Sequence, residues 1–262
     1  MSIVFDHLVH FTKEPNAARE EFLKLGFHAI KGGNHPNWGT YNSLCYFQEL
    51  RYIEWIGFTD HSIAESSDSI LIQQILKDFP TEGFSQLAFR TDDIDSLKLS
   101  LQKKGLQTVG PVEGSRKKED GTTLSWAMLF IEDEEEQSLR SPFFIQWGKG
   151  DQDRTKEMRN LMVHSNKASS ISYIGLAVKD SVSVVQRYAS LLDLPIPIQS
   201  EKDKVGSYFE LVLQDFSLRF YEPNTQELIN FIEDKGEKPF ICKIAGLDSD
   251  QFVEINGGLY SI

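Results

Sequence analysis

Cysteine is scarce: Cys45 and Cys242 are the only two among 262 residues, and each sits inside an apolar, strand-like run. That excludes a disulfide framework and any metal centre built on cysteine pairs, and leaves two small residues for the core. No stretch approaches the roughly 20 consecutive apolar residues of a membrane span. The opening MSIVFDHLVH lacks the basic region and long apolar run of an export signal, so a cytoplasmic protein with no membrane partner is expected. Positive charge is also short, with 27 Lys and Arg against 39 Asp and Glu for a net charge of -12. That balance repels a phosphate backbone, and no basic patch is interleaved with aromatics, so nucleic acid is not an expected partner.

What is present is an ordinary globular composition, 40% hydrophobic and 25% charged, enough for one large or two medium domains. The acidic run Glu132-Asp133-Glu134-Glu135-Glu136 lies between two apolar strands and reads as a solvated hairpin loop rather than a cation site. The dominant feature is repetition. A strand that feeds an amphipathic helix and returns as further strands runs from DHLVHF at Asp6 to YIEWIGF at Tyr52, again from FSQLAF at Phe84 to FFIQWG at Phe143, and again from SYIGLAV at Ser172 to LRFYEP at Leu218. Such units cannot bury their apolar faces alone, so they are expected to pair and share a core. The polar segment between the second and third copies suggests residues 1–150 as one domain, 151–168 as a linker, and 169–262 as a third unit followed by a partial fourth.

Strand alternation puts His7, Val9 and Phe11 on one face of the first strand, and Tyr52, Glu54 and Ile56 on one face of the closing strand. A carboxylate on the interior face of an apolar strand needs a metal, a cation or a proton, because an unpaired buried charge is costly. His35, Trp38 and Thr40 lie in a loop bounded by Gly32-Gly33 and Gly39, where binding residues concentrate; the competing reading is that Pro36 and Gly39 shape a turn that Trp38 plugs. His28, His61 and His164 sit in polar contexts and read as surface residues.

The βαβββ unit with a histidine near the start of its first strand and a glutamate in its last resembles the vicinal oxygen chelate superfamily, whose best-known member is glyoxalase I. The segment His35-Pro36-Asn37-Trp38-Gly39-Thr40 is similar to the glyoxalase-like subgroup. The resemblance implies an α+β fold of repeated βαβββ units forming paired cup-shaped mixed sheets with helices outside. It also implies a divalent metal, with zinc, nickel, iron and manganese all suited to nitrogen and oxygen ligands, and His7 and Glu54 at the ligand positions. Overlaying Ile53-Glu54-Trp55 on Ile145-Gln146-Trp147 places Phe84 and Gln146 at the corresponding positions of the second unit, with Gln86 two residues beyond Phe84 as a further oxygen donor. His35 is then the expected second imidazole. Tyr173 and Arg219 fall at the ligand positions of the third copy, where an arginine excludes a metal and leaves a structural cup or an anion pocket.

The reading that follows is a metal-dependent lyase, isomerase or oxygenase for a small oxygenated substrate, with Glu54 or His35 moving a proton. The alternative is a metal-free protein that sequesters a small aromatic molecule. In either case Trp38, Thr40, Tyr52, Phe84 and Phe144 are the expected substrate walls. The partner is a small molecule, and a homodimer is left open.

Overall fold

The computed structural model describes residues 2–117, 121–133, 139–248 and 251–262. Of the acidic run, Glu134, Glu135 and Glu136 lie outside the described residues. The first unit comprises β1 (Ile3–Phe11), α1 (Pro15–Lys24), β2 (Ala29–His35), β3 (Thr40–Tyr46) and β4 (Tyr52–Phe58). After α2 (His61–Glu65) and α3 (Ile70–Asp78), the second unit repeats the order as β5 (Gly83–Thr91), α4 (Ile94–Lys103), β6 (Thr108–Lys117), β7 (Thr123–Ile131) and β8 (Phe143–Trp147). Helix α5 (Asp151–Met158) leads to the third unit of β9 (Ile171–Ala177), α6 (Ser181–Leu192), β10 (Glu201–Lys202), β11 (Ser207–Leu213) and β12 (Phe216–Tyr221). Helix α7 (Gln226–Lys235) precedes β13 (Lys238–Ile244), β14 (Phe252–Ile255) and β15 (Gly258–Ser261).

Two mixed sheets result, ordered β2-β3-β4-β1-β5-β8-β7-β6 and β10-β11-β12-β9-β13-β15-β14. In every unit the first strand runs parallel to the last, and units join in pairs through antiparallel first strands, β1 on β5 and β9 on β13. The tail thus repeats the strand pairing of a unit, with no helix between its first and later strands among the described residues. The glycines Gly32 and Gly33, read from sequence as one boundary of a loop, fall at an irregularity inside β2, between the paired residues Lys31 and Asn34. Among the described residues no helix is long and apolar enough to cross a membrane.

Helices α1, α4 and α6 cover the faces of the sheets turned away from the cups, and those covered faces share one core. Phe22 of α1 and Leu97 of α4 pack into it with Phe5, Trp55 and Phe89 of the first sheet and Leu176, Leu218 and Tyr260 of the second. Phe5 stacks on Phe216 at 4.1 Å, and the Trp55 indole donates to the Tyr260 hydroxyl at 3.1 Å. Arg51 reaches across to the carbonyl of Ile171 and to the Asp215 carboxylate. Both cysteines are buried, as expected.

The segment 151–168, read from sequence as a linker, carries α5 and is tied down at both ends. Buried Arg154 lies 4.4 Å over the Trp147 ring, and Ser165 and Asn166 donate to the carbonyls of Gly26 and Leu25. These anchoring groups are themselves polar.

Candidate active site

Two β-bulges set the geometry of the first cup. In the β1/β5 ladder Phe5 pairs with Phe89 and His7 with Ala88, leaving Asp6 as the extra residue; likewise Val9 pairs with Gln86 and His10 with Phe84, leaving Ser85. Aligning the bulges places His7 on Gln86. In the parallel ladders Val9 opposes Glu54 and Ala88 opposes Phe143, which places Glu54 on Phe143. The sequence overlay onto Phe84 and Gln146 is thereby corrected.

His7 is buried on β1 and stacks on Tyr52 with centroids 4.4 Å apart. Its Nδ1 bonds Asp6 Oδ1 at 2.8 Å, and its Nε2 lies 3.6 Å from Glu54 Oε2. With Nδ1–H donated to Asp6, a neutral imidazole would turn only a lone pair toward Glu54. A proton on Nε2 would face that carboxylate. Glu54 Oε1 accepts from the Asn42 side-chain amide, whose own oxygen accepts from the Gly33 N–H. Asp6 is fully buried; burial alone would raise its pKa, but the His7 hydrogen bond and the Arg154 and Arg90 guanidiniums hold it below the usual carboxylate range. Its second oxygen accepts from the Trp147 indole at 3.1 Å.

The cavity above this pair has a volume of about 70 Å³, and His7, Glu54, His35, Trp38 and Tyr52 all line it. Phe143, Ile145, Trp147 and Trp126 supply its far wall, and Arg116 of β6 reaches in from the rim. His35 Nδ1 bonds the Thr40 hydroxyl at 3.0 Å, so Thr40 supports the histidine without lining the cavity. Burial, reinforced by Arg116 and opposed by Glu54, lowers the His35 pKa. Burial pushes Tyr46 up to about 12 and Tyr52 well above its usual value, so both phenols stay protonated.

Four expected site residues are elsewhere. Phe84 packs against His10 and Tyr260 on the helix-covered face, with ring centroids 5.0 and 5.2 Å away, because the bulge at Ser85 reverses the alternation. Phe144 is buried in the core between the sheets, since alternation along β8 gives the cup to Phe143, Ile145 and Trp147. Gln146 faces α4 and accepts from the Ile94 N–H at 2.7 Å. Gln86 shares the face of His7, but its amide donates to Gln74 of α3 at 3.0 Å. His164, read as a surface residue, is buried, accepts from the His28 N–H at 2.9 Å, and is pushed down to about 4 by burial.

A divalent metal, as the resemblance implies, would need several donors converging here. His7 and Glu54 converge, while both glutamines are engaged elsewhere. Among the described residues no group of three or more His, Cys, Asp or Glu side chains comes together to hold an ion. Two convergent donors fall short of the three protein ligands typical of a catalytic zinc site or a facial triad, so the residues do not fit a resident metal.

The second sheet's cup is occupied by its own side chains. Arg219 opposes Gly175 as Glu54 opposes Val9, and Tyr173 follows the bulged Ser172 as His7 follows Asp6. The Arg219 guanidinium lies 4.0 Å over Tyr173 and 4.6 Å over Tyr208, and donates to Glu210 and Asp203.

Three residues that sequence reasoning missed are Asp6, Asn42 and Arg116. A second carboxylate beside His7 in an apolar strand was the available signal for Asp6.

The fold has solved counterparts. A hypothetical protein from Staphylococcus aureus is 23% identical with a TM-score of 0.81, covering 98% of each chain. A mutant of 4-hydroxymandelate synthase from Streptomyces coelicolor is 10% identical with a TM-score of 0.57, covering 93% of this chain and 71% of that one. A fusion of a xylose isomerase-like TIM barrel with 4-hydroxyphenylpyruvate dioxygenase is 13% identical with a TM-score of 0.52, covering 92% of this chain and 36% of its own. No curated protein matches the chain. Residues 5–192 match the family model described as a glyoxalase-like domain. With that match over most of its length and two curled sheets of paired units, the chain belongs to the glyoxalase-like domain family of the vicinal oxygen chelate superfamily.

Proposed function

We propose that the first cup is the active site of an isomerase- or lyase-type enzyme that moves a proton on a small oxygenated substrate without a resident metal. The observation that carries this reading is the Asp6–His7–Glu54 array, with 2.8 Å and 3.6 Å separations, at the floor of an aromatic cavity. Glu54 Oε2 takes the proton from a carbon beside a carbonyl. The C–H electron pair moves onto the carbonyl oxygen, and that oxygen receives the proton held at His7 Nε2. Asp6 keeps the imidazole oriented and supports its positive charge, the role a buried aspartate plays in hydrolase triads. Transfer of the proton from Glu54 to the former carbonyl carbon, as neutral His7 Nε2 takes the proton of the hydroxyl on the carbon that lost hydrogen, completes an isomerisation. Return of the enol proton to His7, with a leaving group departing from the next carbon with the proton on Glu54, completes an elimination. Tyr52, Trp38 and the other rings exclude water and hold the planar part of the substrate, and neutral His35 offers a hydrogen bond at the rim.

The test is deuterium incorporation from D2O, followed by proton NMR over a panel of small 2-oxo acids, hydroxy ketones and their aromatic analogues. Wild type should exchange the hydrogen beside the carbonyl of at least one compound. Glu54→Gln, which keeps the shape of the side chain and an acceptor for Asn42, should slow that exchange roughly 100- to 10,000-fold. Exchange that persists unchanged in Glu54→Gln would remove this reading. Saturable binding of aromatic compounds with no exchange would favour sequestration instead.

A further inference from the structure

The cup's cavity of about 70 Å³ is far below the roughly 300–1,000 Å³ of ordinary ligand sites, so it admits the reacting end of a substrate and little more. The rest of the molecule must leave through the mouth. Immediately beside the mouth is a second cavity of about 540 Å³, which shares Asn42 and Arg116 with the first. It lies between β2 and β6, the two edge strands of the eight-stranded sheet, which the curl of the sheet brings together.

This groove is basic. Lys31, Arg116 and Lys117 line it, and no carboxylate does among the described residues, although the chain as a whole carries a net charge of -12. Such a local reversal concentrates positive potential in a concave surface, which attracts anions. The groove also has a built floor. A Cβ on Gly33 would fall 1.5 Å from Arg116 Nη1 and 2.6 Å from its Cζ, so the guanidinium lies directly on bare backbone and thereby spans both cavities. Asn42 links the two, holding the Gly33 N–H on one side and Glu54 on the other.

We propose that the substrate carries a multiply charged oxyanion of phosphoryl type that lies in this groove, with Arg116 as the residue that selects it. The proposal rests on the reading of the cup as the place where the other end of the same molecule reacts. The planar fork of an arginine suits a phosphoryl group better than a lysine's point charge does, and two flanking lysines favour a dianion over a single carboxylate.

Isothermal titration of the full chain with inorganic pyrophosphate, and separately with acetate, at constant ionic strength tests it. Pyrophosphate should bind wild type, and Arg116→Gln should weaken it about 10-fold or more, as loss of a charge-assisted hydrogen bond implies. Gly33→Ala should weaken it as well, because its methyl group displaces the flexible end of Arg116 while leaving the charge in the chain. Acetate should bind far more weakly than pyrophosphate. Equal pyrophosphate affinity in wild type and both variants, no binding in any form, or acetate binding as tightly as pyrophosphate would overturn the proposal. The probe has no carbon acid, so the titration is independent of proton transfer. Proton exchange without pyrophosphate binding would sink the groove alone, and pyrophosphate binding without exchange would sink the reading of the cup alone.

Discussion

Replacing Asp6 by asparagine removes one buried charge and with it the acceptor that holds His7 Nδ1 at 2.8 Å. Two effects separate. For stability, the carboxylate has two hydrogen bonds, with His7 and the Trp147 indole, and two guanidinium groups, Arg90 and Arg154, each at 3.7 Å. Breaking such a buried array costs about 3–5 kcal/mol. The lower end applies here, because Arg90 keeps its bonds to Asp151 and to the carbonyls of Phe5 and Glu49. Since the Asp6 pKa is lowered in the folded chain, its contribution is complete above the ordinary carboxylate range and drains away as pH falls through the folded value. For function, the new amide can donate to Nδ1, which would then no longer carry a proton, and His7 would lose the charge that lets it give up the proton on Nε2. Deuterium exchange should fall roughly 100-fold or more, and nitrogen NMR of labelled imidazoles should show the Nδ1 proton of His7 lost. An unchanged Nδ1 proton and an unchanged exchange rate, with stability alone reduced, would refute the role given to Asp6.

Three further outcomes follow from the same geometry. His10 is wholly buried between Tyr260 and the carbonyl of Asn256 and is pushed down to about 4 by burial. It favours the folded chain fully above pH 6.5, and that contribution, about 3 kcal/mol, is lost as pH falls from 6.5 toward 4; urea midpoints across that window should decline and should flatten in His10→Gln. Zinc, nickel, manganese and anaerobic ferrous iron should bind wild type and His35→Ala equally weakly by calorimetry, whereas a loss of about 10-fold or more in the variant would make His35 a ligand after all. Residues 1–150 expressed alone should bind hydrophobic dyes and unfold without a sharp transition, because Phe5 and Trp55 lose Phe216 and Tyr260 as partners; a cooperative, dye-free fragment would contradict the shared core.

The repeat was legible because apolar alternation and helix-period patterns survive in each copy, and the shared face of His7 and Glu54 followed from parity within single strands. What failed was the overlay between copies. A bulge adds a residue without altering the local apolar pattern, so neither Asp6 nor Ser85 announces itself, yet each reverses which side chains face the cup beyond it. Ile-Glu-Trp and Ile-Gln-Trp then look equivalent although their ladders are three residues apart. The same bulge hid Asp6: consecutive strand residues ordinarily face opposite ways, and only an unpaired position lets Asp6 and His7 meet. Arg116 was invisible for a different reason, because its place at the mouth depends on two edge strands far apart in the chain, residues 29–35 and 108–117, closing on bare glycine backbone.

The most direct test of metal-free proton transfer in the cup is the rate of deuterium incorporation by wild type after exhaustive chelation, beside Glu54→Gln under the same conditions. Chelator-treated wild type should exchange fully, and exchange should collapse in Glu54→Gln. Exchange that vanishes on chelation and returns with an added divalent metal would contradict it.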